Sequence, residues 1–278
     1  MKAAPFAYER PSNLKAAVAL MAETNGAAKI MAGGQSLGPM LNLRLVQPDM
    51  IIDITGLAEL KQADRDGGEL VIGACVTHGD IEDGRVPDVT RQAMQRVAGG
   101  IAYRAVRNRG TIGGSLSHAD PAADWVSALP ALGAKVRLRG HSGYRDIAVE
   151  DFTIGALESA LQANELVESV RIPTMRASAH WAYVKACRKP GEFAHAIAAV
   201  LIDPEAATAR VVLGAIEAPP VVLRDASSLF GGRITGNFRR EFVPSAADAL
   251  LLKAGVANAA DRHIHVAILR RAIEEAGA

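Results

Sequence analysis

The chain has 278 residues, 49% of them hydrophobic and 22% charged, so it can bury a large core and is expected to form two domains or one large one. Its formal net charge is +1 with dispersed basic residues, which argues against the basic stripe of a nucleic-acid-binding surface. No long apolar run is present, and the first residues lack the apolar stretch of a signal peptide, so we expect a cytoplasmic protein with no transmembrane segment.

The first part of the chain predicts a small α/β unit. A helix with Leu14, Ala17, Val18 and Met21 on one face is expected, capped by Ser12 and ended by Gly26. After it we predict a strand at 28–31, a short amphipathic segment at 37–45 and a strand at 50–54.

The middle of the chain predicts a second unit of mixed helix and strand. Thr77 with Asp80 three positions later is the pattern of a helix capping box. Helices are predicted at 86–97, with Pro87 in the first turn, and at 124–132. Strands are predicted at 69–76, 134–139, 144–149 and 166–172.

The polar segment 174–179 is the best candidate for a domain boundary. Beyond it, a strand is predicted at 180–186. The apolar stretch 194–202 fits a strand or a helix by pattern alone, and together with 209–216 it fits two antiparallel strands best. The remainder is predicted to be helical, ending with 266–276. This alternation of strands and helices indicates an α/β or α+β protein.

Two glycine pairs stand out from this background. AGGQS at 32–36 follows a predicted strand, and TIGGS at 111–115 precedes a polar stretch. Glycines permit positive φ and close approach of a ligand, and successive backbone N–H groups in such turns form anion sites. Two of them would hold the two phosphates of a dinucleotide. The alternative is a Gly-Gly turn leading into a capped helix. Neither segment is a P-loop or a GxGxxG motif.

Polar side chains around the glycines are candidates for further hydrogen bonds to such a ligand. Ser36, Thr111 and Ser115 are candidate hydroxyl donors and Gln35 a candidate amide donor, unless each bonds its own backbone as a turn residue. Asp120 and Asp124 suit the hydroxyl groups of a ribose or ribityl chain, with helix capping as the alternative for both.

The titratable residues outside the glycine segments suggest no metal site or catalytic dyad. His118 has no second ligand at zinc spacing and is expected to bond backbone, while His265 is expected to pack on a helix. Cys75 and Cys187 are far apart, and an iron–sulfur cluster takes about four thiolates, so this chain alone is not expected to hold one. Both cysteines are expected to be small buried hydrophobes rather than a disulfide.

The glycine segments, the HADPAAD that follows the second one, and the YERP and RRA near the two ends resemble one family across essentially the whole chain. It comprises the flavoprotein (medium) subunits of molybdenum hydroxylases, the carbon monoxide dehydrogenase and xanthine dehydrogenase group. The resemblance implies an α+β fold. Residues 1–176 would form a two-part FAD-binding domain of the vanillyl-alcohol-oxidase (PCMH) type, with subdomains of about 1–56 and 57–176. Residues 177–278 would form a smaller sheet-plus-helices domain.

The resemblance also implies the FAD-binding residues. The diphosphate and ribityl chain would contact Ala32, Gly33, Gly34, Gln35, Ser36, Leu37, Thr111, Gly113, Gly114 and Ser115, although the family often has Asn in place of Ser115. Asp124, with Asp120 nearby, would lie at the FAD sugar, and Ile101 and Ala102 would line the adenine pocket. Leu166 and Val167 would offer backbone groups at the adenosine or flavin end. Lys185 and Phe193 would lie beside the isoalloxazine ring, unless Lys185 is a solvated strand residue and Phe193 part of the core.

The function implied is electron transfer within a multi-subunit oxidoreductase. FAD in this chain would receive electrons from 2Fe–2S clusters of a small partner subunit and pass them to an external acceptor. A molybdenum cofactor in a large partner subunit would oxidise the substrate, in a heterotrimer or a dimer of heterotrimers. A flavin needs no acid–base dyad to accept electrons, which fits the absence of one here. The alternatives are a stand-alone FAD oxidase or dehydrogenase and a non-catalytic nucleotide-binding module.

Overall fold

The computed structural model describes residues 2–24 and 26–277. Its first unit is a three-stranded parallel sheet of β1 (Ala7–Glu9), β2 (Ala28–Met31) and β3 (Met50–Asp53), in the order β1-β3-β2. Helix α1 (Leu14–Glu23) buries Ala17, Val18 and Met21 as predicted. Its N-cap is Asn13, whose side chain accepts from the Ala16 N–H, so the prediction of Ser12 was wrong by one residue. The helix ends before Gly26. Helix α2 (Leu37–Asn42) follows the first glycine pair.

The second unit is a five-stranded antiparallel sheet with the order β4-β5-β10-β6-β7. Its strands are β4 (Ala63–Asp66), β5 (Glu69–Gly73), β6 (Lys135–Gly140), β7 (Gly143–Ala148) and β10 (Leu166–Pro173). A small hairpin of β8 (Thr153–Gly155) and β9 (Glu158–Ser159) lies outside it. Apolar residues of β5, β6 and β10 are buried together, so the predicted strands form one core.

Six helices of this unit lie between its strands in the chain. They are α3 (His78–Glu82), α4 (Ala93–Gly99), α5 (Arg104–Arg107), α6 (Ile112–His118), α7 (Asp124–Ala131) and α8 (Val149–Phe152). The capping box of Thr77 and Asp80 at α3 is confirmed. The predicted helix 86–97 was too long, because Arg91 and Gln92 have positive φ and α4 begins only at Ala93. Strand β4 and helices α5 and α6 were not predicted.

The third unit is a four-stranded antiparallel meander, β11-β12-β13-β14. Its strands are β11 (His180–Ala186), β12 (Ala196–Asp203), β13 (Thr208–Gly214) and β14 (Val221–Leu223). Helices α9 (Phe238–Glu241), α10 (Pro244–Lys253) and α11 (Ala259–Ala276) complete the unit, and α11 packs on β11 and β12. The two predicted antiparallel strands are confirmed, whereas β14 was missed. None of the described helices combines the length and apolarity needed to cross a bilayer.

Helix α7 joins the second and third units. Every residue from 124 to 131 is buried, because one side of α7 meets the core of the five-stranded sheet and another meets β12 and β13. A Cβ on Gly214 would lie 1.9 Å from the Ser127 Oγ, so only glycine allows this approach. Arg210 strengthens the junction by donating to the Pro130 carbonyl and to Glu150. The surface between these two units is therefore closely packed.

Candidate functional site

The segment after β2 has a run of backbone N–H groups without partners. Among the described residues, no acceptor takes a hydrogen bond from any backbone N–H between Gly33 and Leu37. Gly34 has a φ of +70°, and a Cβ on Gly33 would lie 2.1 Å from the Arg109 carbonyl oxygen. Both glycines are thus required by geometry. Successive N–H groups without partners, in a turn with a left-handed glycine, are suited to binding an anion, and we call this segment, residues 33–37, the glycine nest.

The polar side chains of the nest differ in what they can still offer. The Gln35 Nε2 donates to the Gly33 carbonyl at 3.0 Å, so this amide bonds its own turn. Ser36 occupies the N-cap position of α2, is exposed, and makes no side-chain capping bond. Its hydroxyl is therefore available to a ligand.

The second glycine segment is not a second nest of free amides but the start of α6. The N–H groups of Ile112 and Gly113 donate to the carbonyls of Val76 and Ala74, and that of Ser115 donates to the Thr111 carbonyl. The Gly114 N–H donates to the Thr111 Oγ1 at 3.1 Å. The prediction of two equivalent nests was wrong, because a helix N-terminus formed here and used these donors. The Ser115 hydroxyl bonds no other described residue.

The glycines of this segment serve close packing rather than positive φ. A Cβ on Gly113 would lie 2.5 Å from the Ala74 Cβ, and one on Gly114 would lie 2.9 Å from the Thr111 Oγ1. A Cβ on Gly114 would also be 3.9 Å from the Ala32 Cβ. The structure therefore brings the two glycine segments together, as the sequence predicted, although their backbone conformations differ.

A buried histidine supports the contact between these segments and was not predicted. The His78 N–H donates to the Gly110 carbonyl at 2.9 Å, and its Nδ1 accepts from the Trp125 Nε1 at 3.1 Å. The ring packs against Gly110, where a Cβ would meet it at 2.9 Å. Burial, with a smaller contribution from the Arg107 charge, lowers the pKa of His78 to about 4. The imidazole is therefore neutral at neutral pH. The capping box at Thr77 was the only local signal for this position.

The lowered pKa predicts a pH-dependent stability. Between pH 6.5, the ordinary pKa of histidine, and about pH 4, the unfolded chain takes up a proton at His78 that the folded chain does not. The free energy of unfolding should fall as the pH falls through this range, by up to roughly 3 kcal/mol. Urea denaturation between pH 4 and 7 measures it. His78→Asn keeps an acceptor for Trp125 but does not titrate, so its stability should depend less on pH. Equal pH dependence in both proteins would contradict this assignment.

Asp124 and Lys185 form a buried ion pair between α7 and β11. The Lys185 Nζ donates to the Asp124 Oδ1 at 2.7 Å and to the Gly100 carbonyl at 2.8 Å. The Tyr183 hydroxyl donates to the same Asp124 oxygen at 2.8 Å. Burial, then the charge of Asp124, raises the pKa of Tyr183 well above its ordinary value. Lys185 is thus not a solvated strand residue, and Asp124 offsets its charge. Tyr183 was missed, since only the fold brings it to Asp124.

The segment Gly100–Ala102, which we call the 100–102 turn, lies directly beside this ion pair. The Arg107 Nη1 donates to the carbonyls of Ile101 and Ala102 at 2.9 and 3.1 Å. Ile101 and Ala102 were expected at the adenine and Lys185 at the isoalloxazine ring, which are opposite ends of FAD. Because Lys185 is hydrogen-bonded to Gly100, the structure places these two sets of candidates side by side.

The remaining candidates occupy varied environments. Asp120 closes the turn before α7 through a 2.8 Å bond from the Ala122 N–H, and neither it nor Asp124 caps that helix with its side chain. Leu166 and Val167 are buried at 2% and 3% exposure, so only their backbone could reach a ligand. Phe193 is 69% exposed, so the alternative that it belongs to the core was wrong.

The histidines and cysteines singled out from the sequence have structural surroundings. His118 ends helix α6 rather than lying in a loop. His265 is buried, with ring nitrogens 2.9 and 3.1 Å from the carbonyls of Asp261 and Gly214, which is the packing role expected. Burial raises the pKa of Cys75 to about 12, whereas Cys187 is only half-buried.

Comparisons with known proteins agree across the chain. Residues 4–175 match the family model described as the FAD binding domain in molybdopterin dehydrogenase. Caffeine dehydrogenase subunit beta from a Pseudomonas species is 32% identical, covering 97% of this chain and 100% of that protein. The carbon monoxide dehydrogenase medium chain of Hydrogenophaga pseudoflava is 34% identical, covering 88% and 86%.

Solved structures show the same fold. Carbon monoxide dehydrogenase from Hydrogenophaga pseudoflava, in a form that lacks the Mo-pyranopterin moiety, superposes with a TM-score of 0.85 and 32% identity over 99% of this chain and 98% of that chain. Quinoline 2-oxidoreductase from Pseudomonas putida superposes with a TM-score of 0.83 and 29% identity over 100% of both chains.

Proposed function

Because this chain belongs to the family of FAD-binding domains of molybdopterin dehydrogenases, we propose that it carries electrons through FAD within a multi-subunit molybdenum hydroxylase. The oxidoreductase role and the FAD cofactor follow from the family, and the free N–H groups of the glycine nest support a diphosphate site there. We further propose the boundaries 1–176 and 177–278 for its two domains. The first would be a vanillyl-alcohol-oxidase-type domain of two parts.

The glycine nest is the structural observation that supports FAD binding most directly. The diphosphate of FAD is an anion that accepts several hydrogen bonds, and the N–H groups from Gly33 to Leu37 have no partner in the described chain. A Cβ at Gly33 would force the nest away from Arg109, so the cradle depends on glycine there. The residues present therefore fit the group.

The roles of the other residues follow from their geometry. FAD, when bound, supplies the hydride and single-electron chemistry. The hydroxyls of Ser36 and Ser115 lie in the two adjacent glycine segments and would donate to the diphosphate or the ribityl chain. Asp124 holds Lys185 in a buried pair, so the ammonium can donate a hydrogen bond to a ligand without adding a full net charge. Asp120 stabilises the turn that leads into Asp124.

The partners of the complex are proposed from the relatives. They are named as medium chains or subunits, which implies partner chains for them. For this protein we propose a small subunit with 2Fe–2S clusters and a large subunit with the molybdenum cofactor, in a cytoplasmic heterotrimer or dimer of heterotrimers. Electrons would pass from the clusters to FAD and on to an external acceptor.

The isolated chain should bind one FAD without a covalent link, since the nest offers hydrogen bonds and not a nucleophile. Acid precipitation should release all flavin into the supernatant.

The chain alone should not oxidise an organic substrate, whereas co-expression with the small and large subunits should yield a complex with flavin, iron and molybdenum. Size-exclusion chromatography with metal and flavin analysis measures this. A monomer that oxidises a substrate with flavin alone would favour the stand-alone oxidase. A colourless chain that does not take up FAD would favour the nucleotide-binding module.

A further inference from the structure

Two cations hold the backbone of the 100–102 turn. The carbonyl of Gly100 accepts from Lys185, and those of Ile101 and Ala102 both accept from Arg107. Charge-assisted bonds of this kind are about twice as strong as neutral ones. All three consecutive carbonyls are therefore fixed by side chains from two different units of the fold.

The turn has a conformation that needs such support. Ala102 has a φ of +41°, in the left-handed region that costs a non-glycine residue roughly 1 kcal/mol or more. In the part of the chain that the structure describes, the N–H groups of Ala102 and Tyr103 donate to nothing. The turn thus has bound carbonyls and free amide donors.

Arg107 is itself held in place. Its Nε and Nη2 donate to the two carboxylate oxygens of Glu82 at 2.7 and 3.0 Å, and its side chain is only 12% exposed. Hydrogen bonding from Arg107 is the largest cause of the lowered pKa of Glu82. The guanidinium is thus a rigid link between α3 and the turn.

The surroundings of the turn suit a flat heteroaromatic ring. Gly191 packs on it, and a Cβ there would lie 2.6 Å from the Ala102 carbonyl and 3.4 Å from the Tyr103 ring. Tyr103 is 61% exposed, and Phe193, two residues from Gly191, is 69% exposed. The exposed Tyr103 ring offers stacking, and the free amides and the Lys185–Asp124 pair offer hydrogen bonds.

We propose that Arg107 is a positioning residue that holds the 100–102 turn against the isoalloxazine end of FAD. The inference rests on the proposed function and goes beyond it, because it moves Ile101 and Ala102 from the adenine to the flavin ring. Arg107 does not touch the cofactor. It fixes the carbonyls so that the free amides and Lys185 meet the ring at one place.

Arg107→Met in the full chain tests this. Dissociation constants for FAD, FMN and ADP, and the visible spectrum of bound FAD, are measured for the variant and the wild type. Loss of the two carbonyl bonds should weaken FAD and FMN by at least about tenfold and shift the flavin spectrum. ADP, which lacks the flavin, should bind within about threefold of the wild type.

Arg104→Met is the matched control. Arg104 lies on the same short helix and pairs with Glu82 and Asp83, but it donates to none of the three turn carbonyls. Its removal should leave the spectrum and all three constants near the wild-type values. If Arg107→Met does not fold, Arg107→Gln decides by the same spectral shift, because its shorter side chain loses the Glu82 pair and does not reach the two carbonyls that accept from the Arg107 Nη1.

Two results would overturn the inference. In the first, the Arg107 variant that folds has a wild-type spectrum and FAD affinity. In the second, ADP affinity falls as far as FAD affinity, which places the turn at the adenosine end or shows a general disruption. A wild-type chain that binds no FAD would instead refute the proposed function, and the inference with it.

Discussion

Replacing Gly33 with alanine should leave the purified chain with little or no FAD. The added Cβ would lie 2.1 Å from the Arg109 carbonyl oxygen and 2.8 Å from the Gly110 Cα, both of them backbone atoms that cannot rotate away. The nest or the 109–110 segment must move, at a cost of about 1–3 kcal/mol. Since five amide donors depend on this geometry, we expect FAD affinity to fall by at least about tenfold. The ratio of flavin to protein absorbance in the purified chain measures it.

Gly38→Ala is the matched control for this change. Gly38 lies in the same segment, within α2, and a Cβ there would meet no atom within 4 Å. Because Gly38 precedes Pro39, an added Cβ crowds only the proline ring next to it and not the nest. The control should therefore keep full FAD occupancy. If Gly33→Ala binds FAD as well as Gly38→Ala does, the glycine nest is not the diphosphate site.

Asp124→Ala should destabilise the folded chain by about 3–5 kcal/mol, because it leaves the Lys185 ammonium buried with only a carbonyl partner. The carboxylate lies at the junction of α7 and β11 and accepts from both Lys185 and Tyr183. Urea denaturation of the FAD-free protein measures the free energy of unfolding without any contribution from ligand binding.

Two further variants separate the ion pair from its neighbours. Tyr183→Phe removes one hydrogen bond to the carboxylate and should cost about 1.5–3 kcal/mol. The double variant Asp124→Ala with Lys185→Met removes both charges and should be more stable than Asp124→Ala alone. If the double variant is as unstable as the sum of the single ones, the buried charge is not the reason for the loss.

Local patterns in the sequence determined much of the secondary structure and the family of this protein. Short stretches that mix apolar and polar residues predicted the strands 28–31, 180–186 and 166–172 nearly to the residue. The alternation in 180–186 is the clearest case, because side chains of a strand point to opposite faces of the sheet in turn. The capping box at Thr77 was also readable, since its two partners are three residues apart. The two glycine segments and the family resemblance identified the family, its FAD cofactor and its oxidoreductase function.

What the glycines do was decided only by the tertiary structure. The segment TIGGS was expected to make a turn, but it starts a helix, and the Ala74 and Val76 carbonyls accept the N–H groups of Gly113 and Ile112. Gly33 is required because the Arg109 carbonyl lies against it, and no local pattern specifies that approach.

The polar contacts of the site were also decided by the tertiary structure. Lys185 and Asp124 were singled out separately from the sequence. They form a pair only because α7 packs against β11. The hydrogen bonds from Lys185 and Arg107 to the 100–102 turn also depend on this packing. Periodicity and capping report interactions over a few residues. Contacts between units of the fold depend on the packing of whole surfaces, which no short stretch of sequence encodes.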